Sequence, residues 1–163
     1  MITAELLADA LGRIRSVVHE VVDGLSDEQL AHRVTPDANS IAWLVWHLTR
    51  IQDDHIADAA GETQVWPVYA KRFGLPFDVT DTGYGHDAAA VGQVQVSGDL
   101  LLGYHDAVHD RSVAYVATDP NLDRVVDERW DPPVTLGVRL VSVISDDLQH
   151  AGQAAFVRGL LPD

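Results

Sequence analysis

The sequence predicts an all-α fold, a four-helix bundle formed by residues 1–163 as one domain. Three observations predict it. Four stretches carry apolar residues at intervals of three and four, no stretch alternates as a strand would, and the segments between them collect proline, glycine and polar residues. Amphipathic helices of this length bury their stripes against one another, and a bundle is the arrangement that does so.

The first helix is expected over residues 3–24. Leu7, Leu11, Ile14, Val18 and Val21 share one face, with Thr3 as N-cap and Gly24 as C-cap. Residues 26–39 read as a polar connection, in which Ser26 caps a short helical turn. The second helix is expected from Asn39 or Ser40 to Ala60, ended by Gly61, with Ile41, Leu44, Val45, Leu48 and Ile51 as its stripe. A long loop follows, residues 62–85, with prolines and glycines set among Trp66, Tyr69, Phe73, Phe77 and Tyr84. A loop of this length has a task in a compact protein. The aromatics suit packing over a bundle opening or against a second copy, so a homodimer stays open. The third helix is expected from Asp87 to Ala117, bent or split by Gly92, Gly98 and Gly103. Residues 118–133 are a second connection. The fourth helix is expected from Leu136 to Leu161, capped by Asp131 or Thr135 and stopped by Pro162.

Charge narrows the function. Twenty-five acidic residues against eleven basic give a net charge of −14, which repels phosphate backbones and anionic membranes. Nucleic acid and membrane surfaces are therefore not expected partners. There is no cysteine, so a disulfide, a thiolate metal site and a cysteine nucleophile are all excluded, and any metal must use histidine and carboxylate. The N-terminus does not read as a signal peptide, and no apolar run approaches the roughly 20 residues of a membrane span. A cytoplasmic location is expected.

The chemistry concentrates in Ser145-Asp146-Asp147-Leu148-Gln149-His150. Asp146 and His150 stand four apart, one above the other on a helix. His47, in the segment Ser40–Arg50, is the best third candidate. Two histidines and a carboxylate leave a coordination position open, which suits catalysis. The same residues also read as a simple i,i+4 pair and a partly buried histidine, and spacing alone does not choose. Asp147 falls nearer the centre of the apolar stripe and needs a partner there, or replaces Asp146 as ligand. His55 is a fourth ligand, a proton shuttle or a hydrogen-bonded core residue. His105 and His109 form a second i,i+4 pair, while His19 and His32 read as surface residues. Tyr84 or His86 could lie over the bundle mouth, or merely belong to a glycine turn. Arg50 and Arg158 could bind a substrate carboxylate or serve in ion pairs.

Together, the Ser40–Arg50 segment, the Thr82-Gly83-Tyr84-Gly85-His86 loop and the Asp146–Arg158 segment resemble the DinB-like superfamily of four-helix metalloproteins. That superfamily includes thiol-dependent maleylpyruvate isomerases and related thiol transferases. The resemblance implies a divalent metal, zinc first and nickel as alternative, held by His47, Asp146 and His150. It also implies a low-molecular-weight thiol as co-substrate. Asp146 stands where members usually carry histidine or glutamate. Catalytic residues beyond the metal set stay unassigned. The implied activity is activation of a thiol or water for transfer, isomerisation or hydrolysis on a small molecule. The rivals are a non-catalytic binding bundle and a small-molecule carrier.

Overall fold

The computed structural model describes residues 2–162. Four long helices form the bundle: α1 (Thr3–Val22), α3 (Ile41–Ala60), α6 (Gly98–Ala117) and α7 (Leu136–Arg158). Three short ones lie in the connections: α2 (Asp27–Ala31), α4 (Trp66–Phe73) and α5 (Ala88–Gly92). Strands β1 (Val125–Asp127) and β2 (Val134–Thr135) pair antiparallel just before α7. The long helices pack in a ring, with α3 between α6 and α7 and α1 closing the other side. α3 and α7 make the most extensive contact, and their facing residues run in opposite directions: His47 meets His150, and His55 meets Arg139.

The core draws on the predicted stripes. Ile14, Val18, Leu44, Val45, Leu48, Leu101, Leu136 and Leu140 are all buried, each such side chain contributing about 1.5–3 kcal/mol. Buried apolar residues cover nearly the whole circumference of α3, since Trp43 and Trp46 are buried beside the stripe. It is the central helix.

Several boundaries differ from expectation for local reasons. Thr3 is already helical, and the end of α1 is closed by Glu5, whose Oε2 accepts the Ile2 N–H at 3.0 Å. Asp23, not Gly24, is the C-cap of α1. Ser26, Ser40 and Thr135 cap their helices through side-chain oxygens, and Gly61 closes α3 in the left-handed region. The expected third helix is split, with Asp87 capping α5 and Ser97 capping α6. α7 ends at Arg158, three residues before Leu161.

The loop after α3 is not structureless. Pro67 sits in the first turn of α4 and Gly74 ends it. From α3, the Asp53 carboxylate accepts the N–H groups of Val65 and Trp66 at 2.9 and 2.8 Å, supplying the cap that the local sequence lacks. Trp66, Tyr69 and Phe73 of α4 cluster around Tyr104 of α6. The strands were not expected either; at three and two residues they are too short to alternate.

Candidate metal centre

His47, on the second turn of α3, faces α7, where Asp146 and His150 occupy successive turns. One ligand-competent atom from each lies within 4.8 Å of the others. The Asp146 Oδ1 to His150 Nε2 distance is 3.6 Å, close to the ~3.4 Å separating two ligand atoms on a tetrahedral zinc. Across the helices the aspartate also brings an oxygen within 4.8 Å of a His47 nitrogen, despite being shorter than the usual residue.

Both histidines are held with the same edge forward. Nδ1 of His47 lies 2.6 Å from the Thr82 carbonyl, and Nδ1 of His150 lies 2.9 Å from Oε1 of Gln153. Both partners are acceptors, so each Nδ1 carries the proton and each Nε2 keeps a free lone pair. Outer hydrogen bonds of this kind orient histidine ligands. Burial, against the pull of the Thr82 carbonyl and helped by His150, lowers the pKa of His47 and keeps it neutral, the ligating form. Asp146 Oδ2 is buried with no hydrogen-bond partner among the described residues. A cation would satisfy it. Two neutral imidazoles, one carboxylate and an orphaned carboxylate oxygen fit a divalent ion well.

The loop from Val79 to His86 braces His47. Asp81 Oδ1 accepts the Gly83 N–H at 2.7 Å, turning the chain so that the Thr82 carbonyl meets His47. His86 Nε2 sits 3.1 Å from both oxygens of Asp81, while Trp43 Nε1–H donates to His86 Nδ1 at 3.1 Å. Burial opposes ionisation of Asp81, yet these hydrogen bonds hold it below the usual carboxylate range. Trp43 stacks on His47 with centroids 4.6 Å apart. Gly83 has φ +89°, and a Cβ there would come within 2.8 Å of Trp46 and 2.9 Å of His47. Only glycine lets the loop lie this close.

The remaining candidates separate. Asp147 is fully buried in the stripe of α7, outside the His47 group, and neither oxygen finds a hydrogen bond among the described residues. Burial, with the Asp146 charge adding, pushes its pKa well above the carboxylate range, and it is a core residue. His55 accepts from Arg139 at 3.2 Å, and Arg139 also holds Asp127 at 3.1 Å. Burial first, then Arg139, lower the pKa of His55. His55 lines a polar cavity of about 350 Å³ with Asp54, Asp58, Gln64, Arg129 and Arg139.

His86 is a brace, and Tyr84 is 90% exposed without covering anything. Arg50 is fully buried and donates to Gln64 and to the Asp81 carbonyl, and Arg158 donates to the Val21 and Asp23 carbonyls at the end of α1. Both are structural. His19, expected at the surface, is partly exposed there and pairs with Asp106 of α6 at 2.8 Å. The two supports that sequence reasoning missed are Thr82, which acts through its backbone, and Gln153, whose i+3 spacing from His150 was a readable signal.

The four-helix bundle is of the DinB-like class. Within it, the chain belongs to the mycothiol-S-transferase family, whose model matches residues 6–162. Among solved structures it is similar to a conserved protein from Enterococcus faecalis, with 29% identity, a TM-score of 0.90, and coverage of 98% of this chain and 97% of that one. No curated protein matches the chain. No helix among the described residues is long and apolar enough to cross a membrane.

Proposed function

We propose that the protein is a divalent-metal-dependent S-transferase that joins a low-molecular-weight thiol, mycothiol by family, to a small electrophile. His47, Asp146 and His150 would hold the metal, zinc before nickel. The observation that carries this reading is the pair of Nδ1 hydrogen bonds, to Thr82 and Gln153, which leave both Nε2 atoms free beside Asp146. A bound divalent ion supplies Lewis acidity, which lowers the pKa of a thiol beside it.

The chain's own residues do the rest. Thr82 and Gln153 fix the imidazole edges, Trp43 and the Asp81–His86 brace keep His47 from turning, and the exposed sides of Asp146 and His150 leave one approach open to solvent. The polar cavity at His55 and Arg139 offers hydrogen-bonding partners to a hydroxyl-rich thiol. In the transfer, the thiol sulfur forms a bond to the electrophilic carbon. The bond to the leaving group breaks with its electron pair, and the thiol proton passes to solvent.

The test is elemental analysis of tag-free protein alongside mycothiol transfer, on the parent and on His150→Ala. About one zinc per chain is expected in the parent, with metal and transfer both lost in the variant. Zinc-replete parent that carries no metal, or transfer that survives in metal-free His150→Ala, overturns the reading.

A further inference from the structure

Beside the histidine group, the bundle surface opens into a groove of about 410 Å³ between the start of α3 and the last turns of α7. We propose that this groove is the acceptor subsite, taking the neutral apolar body, an aromatic ring or alkyl chain, of the electrophile. The proposal rests on the transfer reaction above and names one of its two substrates by chemistry.

Four observations carry it. First, the groove lies one helical turn from the metal candidates on both helices. Leu44 in its wall stands one turn before His47, and Gln153 in its wall hydrogen-bonds His150 at 2.9 Å. A molecule seated there lies against the residue that orients His150. Second, the lining holds no ionisable side chain: Ala38, Asn39, Leu44, Gln153, Phe156 and Val157 are apolar or neutral. Such a lining offers no counter-charge to an anion or to a cation, and burying an unpaired charge is costly, so it suits an uncharged ligand. The polar cavity at His55 has the opposite character, so the two hollows divide a polar from an apolar substrate.

Third, Phe156 is 68% exposed, an unburied aromatic on the groove's rim. A flat ring stacked on it removes that area from water. Fourth, Gly152 leaves room in the groove. A Cβ at this position would meet nothing within 4 Å, so neither helix packing nor backbone conformation demands glycine. In the middle of a helix, glycine is otherwise the weaker choice. With an aryl halide as acceptor, the sulfur–carbon bond forms, the carbon–halogen bond breaks with its pair going to halide, and the thiol proton goes to solvent.

Gly152→Leu fills the groove from a helix position that tolerates it, and Phe156→Ala removes the rim from an exposed one. Binding of unreactive 1,3-dinitrobenzene to zinc-loaded protein is read by quenching of tryptophan fluorescence, Trp43 lying beside His150. Transfer from mycothiol is compared for 1-chloro-2,4-dinitrobenzene and the much smaller iodoacetamide. Saturable quenching is expected in the parent, weakened about tenfold or more in both variants, the scale on which a pocket wall discriminates. The dinitrobenzene-to-iodoacetamide ratio of kcat/KM falls by a similar factor, with zinc content unchanged. Unsaturable quenching in the parent, or variants that leave both readouts unchanged, overturns the proposal. So does a parent dimer that Phe156→Ala dissolves in sedimentation, because a second copy then covers the groove. If neither acceptor reacts but quenching is lost in Gly152→Leu, the transfer reading falls and the groove stands as an apolar-ligand site.

Discussion

Two regions of the bundle carry histidines beside a carboxylate on one helix, and among the described residues only one of them is joined by a third such side chain. On α7, Asp146 and His150 meet His47 across the α3–α7 interface, with both Nδ1 atoms committed and both Nε2 atoms free. On α6, His105 and His109 have the same i,i+4 spacing with Asp106 between them, but among the described residues no group of three metal-competent atoms forms around them. Asp106 is engaged by Arg15 and His19 at 2.7 and 2.8 Å. Burial opposes it, yet those hydrogen bonds hold its pKa down at about 2. His105 is wholly enclosed and His109 only partly so. Spacing on one helix proposes a site; what the neighbouring helices and loops do with the other edge of each ring decides it.

The largest effect should come from setting the two regions against each other. His47→Ala should strip the metal, while His109→Ala should retain it, both read by elemental analysis after equal dialysis. Removing one of three protein ligands is expected to weaken binding by roughly a hundredfold or more, on the scale by which even outer-shell partners change affinity. Metal retained in His47→Ala and lost in His109→Ala would reverse the comparison.

Gly83→Ala sharpens it next, because it leaves every ligand in place and disturbs only the brace. The new Cβ would press on Trp46 and His47 at a backbone angle that alanine resists, at a cost of about 1–3 kcal/mol. The Thr82 carbonyl is then displaced from His47, and zinc affinity should fall by about 10–100-fold. A competitive chelator titration reads the affinity and thermal melting reads the strain. Unchanged zinc affinity would show that His47 needs no backbone partner.

The legible part of this molecule was the local part. The stripes of α1, α3 and α7 and the caps at Ser26, Ser40 and Thr135 follow from spacing and side-chain chemistry within one turn. α4 was missed because its cap comes from Asp53, twelve residues upstream and on another helix. Its Trp66-Tyr69-Phe73 spacing did carry a helical signal, masked by the surrounding prolines and glycines. The His47, Asp146 and His150 group was nameable because each residue shows its chemistry, and the resemblance joined the two segments. Of its supports, Gln153 left a readable i+3 signal and the others did not. Thr82 works through a carbonyl, which any residue would provide, and Asp147 differs from Asp146 only in a 100° rotation about the helix axis. That rotation takes one carboxylate to the metal candidates and its neighbour into the core.

The smallest effect, and the one that isolates the α6 region, is a pH dependence of stability. Burial first, then His109, lower the pKa of His105 from 6.5 to about 3. Nδ1 of His105 lies 3.1 Å from Thr49 Oγ1, whose own proton goes to the Val45 carbonyl, so His105 donates there and its Nε2 lone pair is buried without a partner. The native protein thus keeps His105 neutral down to about pH 3, whereas the unfolded chain protonates it near 6.5. Its contribution is full above 6.5 and is lost as the pH falls toward 3. Between pH 7 and 5 this amounts to about 2 kcal/mol for one group shifted so far. His47, His55 and His109 have lowered values as well and act in the same direction, while the raised Asp147 acts in the opposite one. The test is therefore a difference. His105→Gln keeps an N–H for Thr49 and removes the titration, so denaturant unfolding at pH 7 and 5 should show the parent losing about 2 kcal/mol more than the variant. Equal losses would mean that His105 finds a proton acceptor in the bundle, and the α6 pair would then resemble the α7 pair more closely than its geometry indicates.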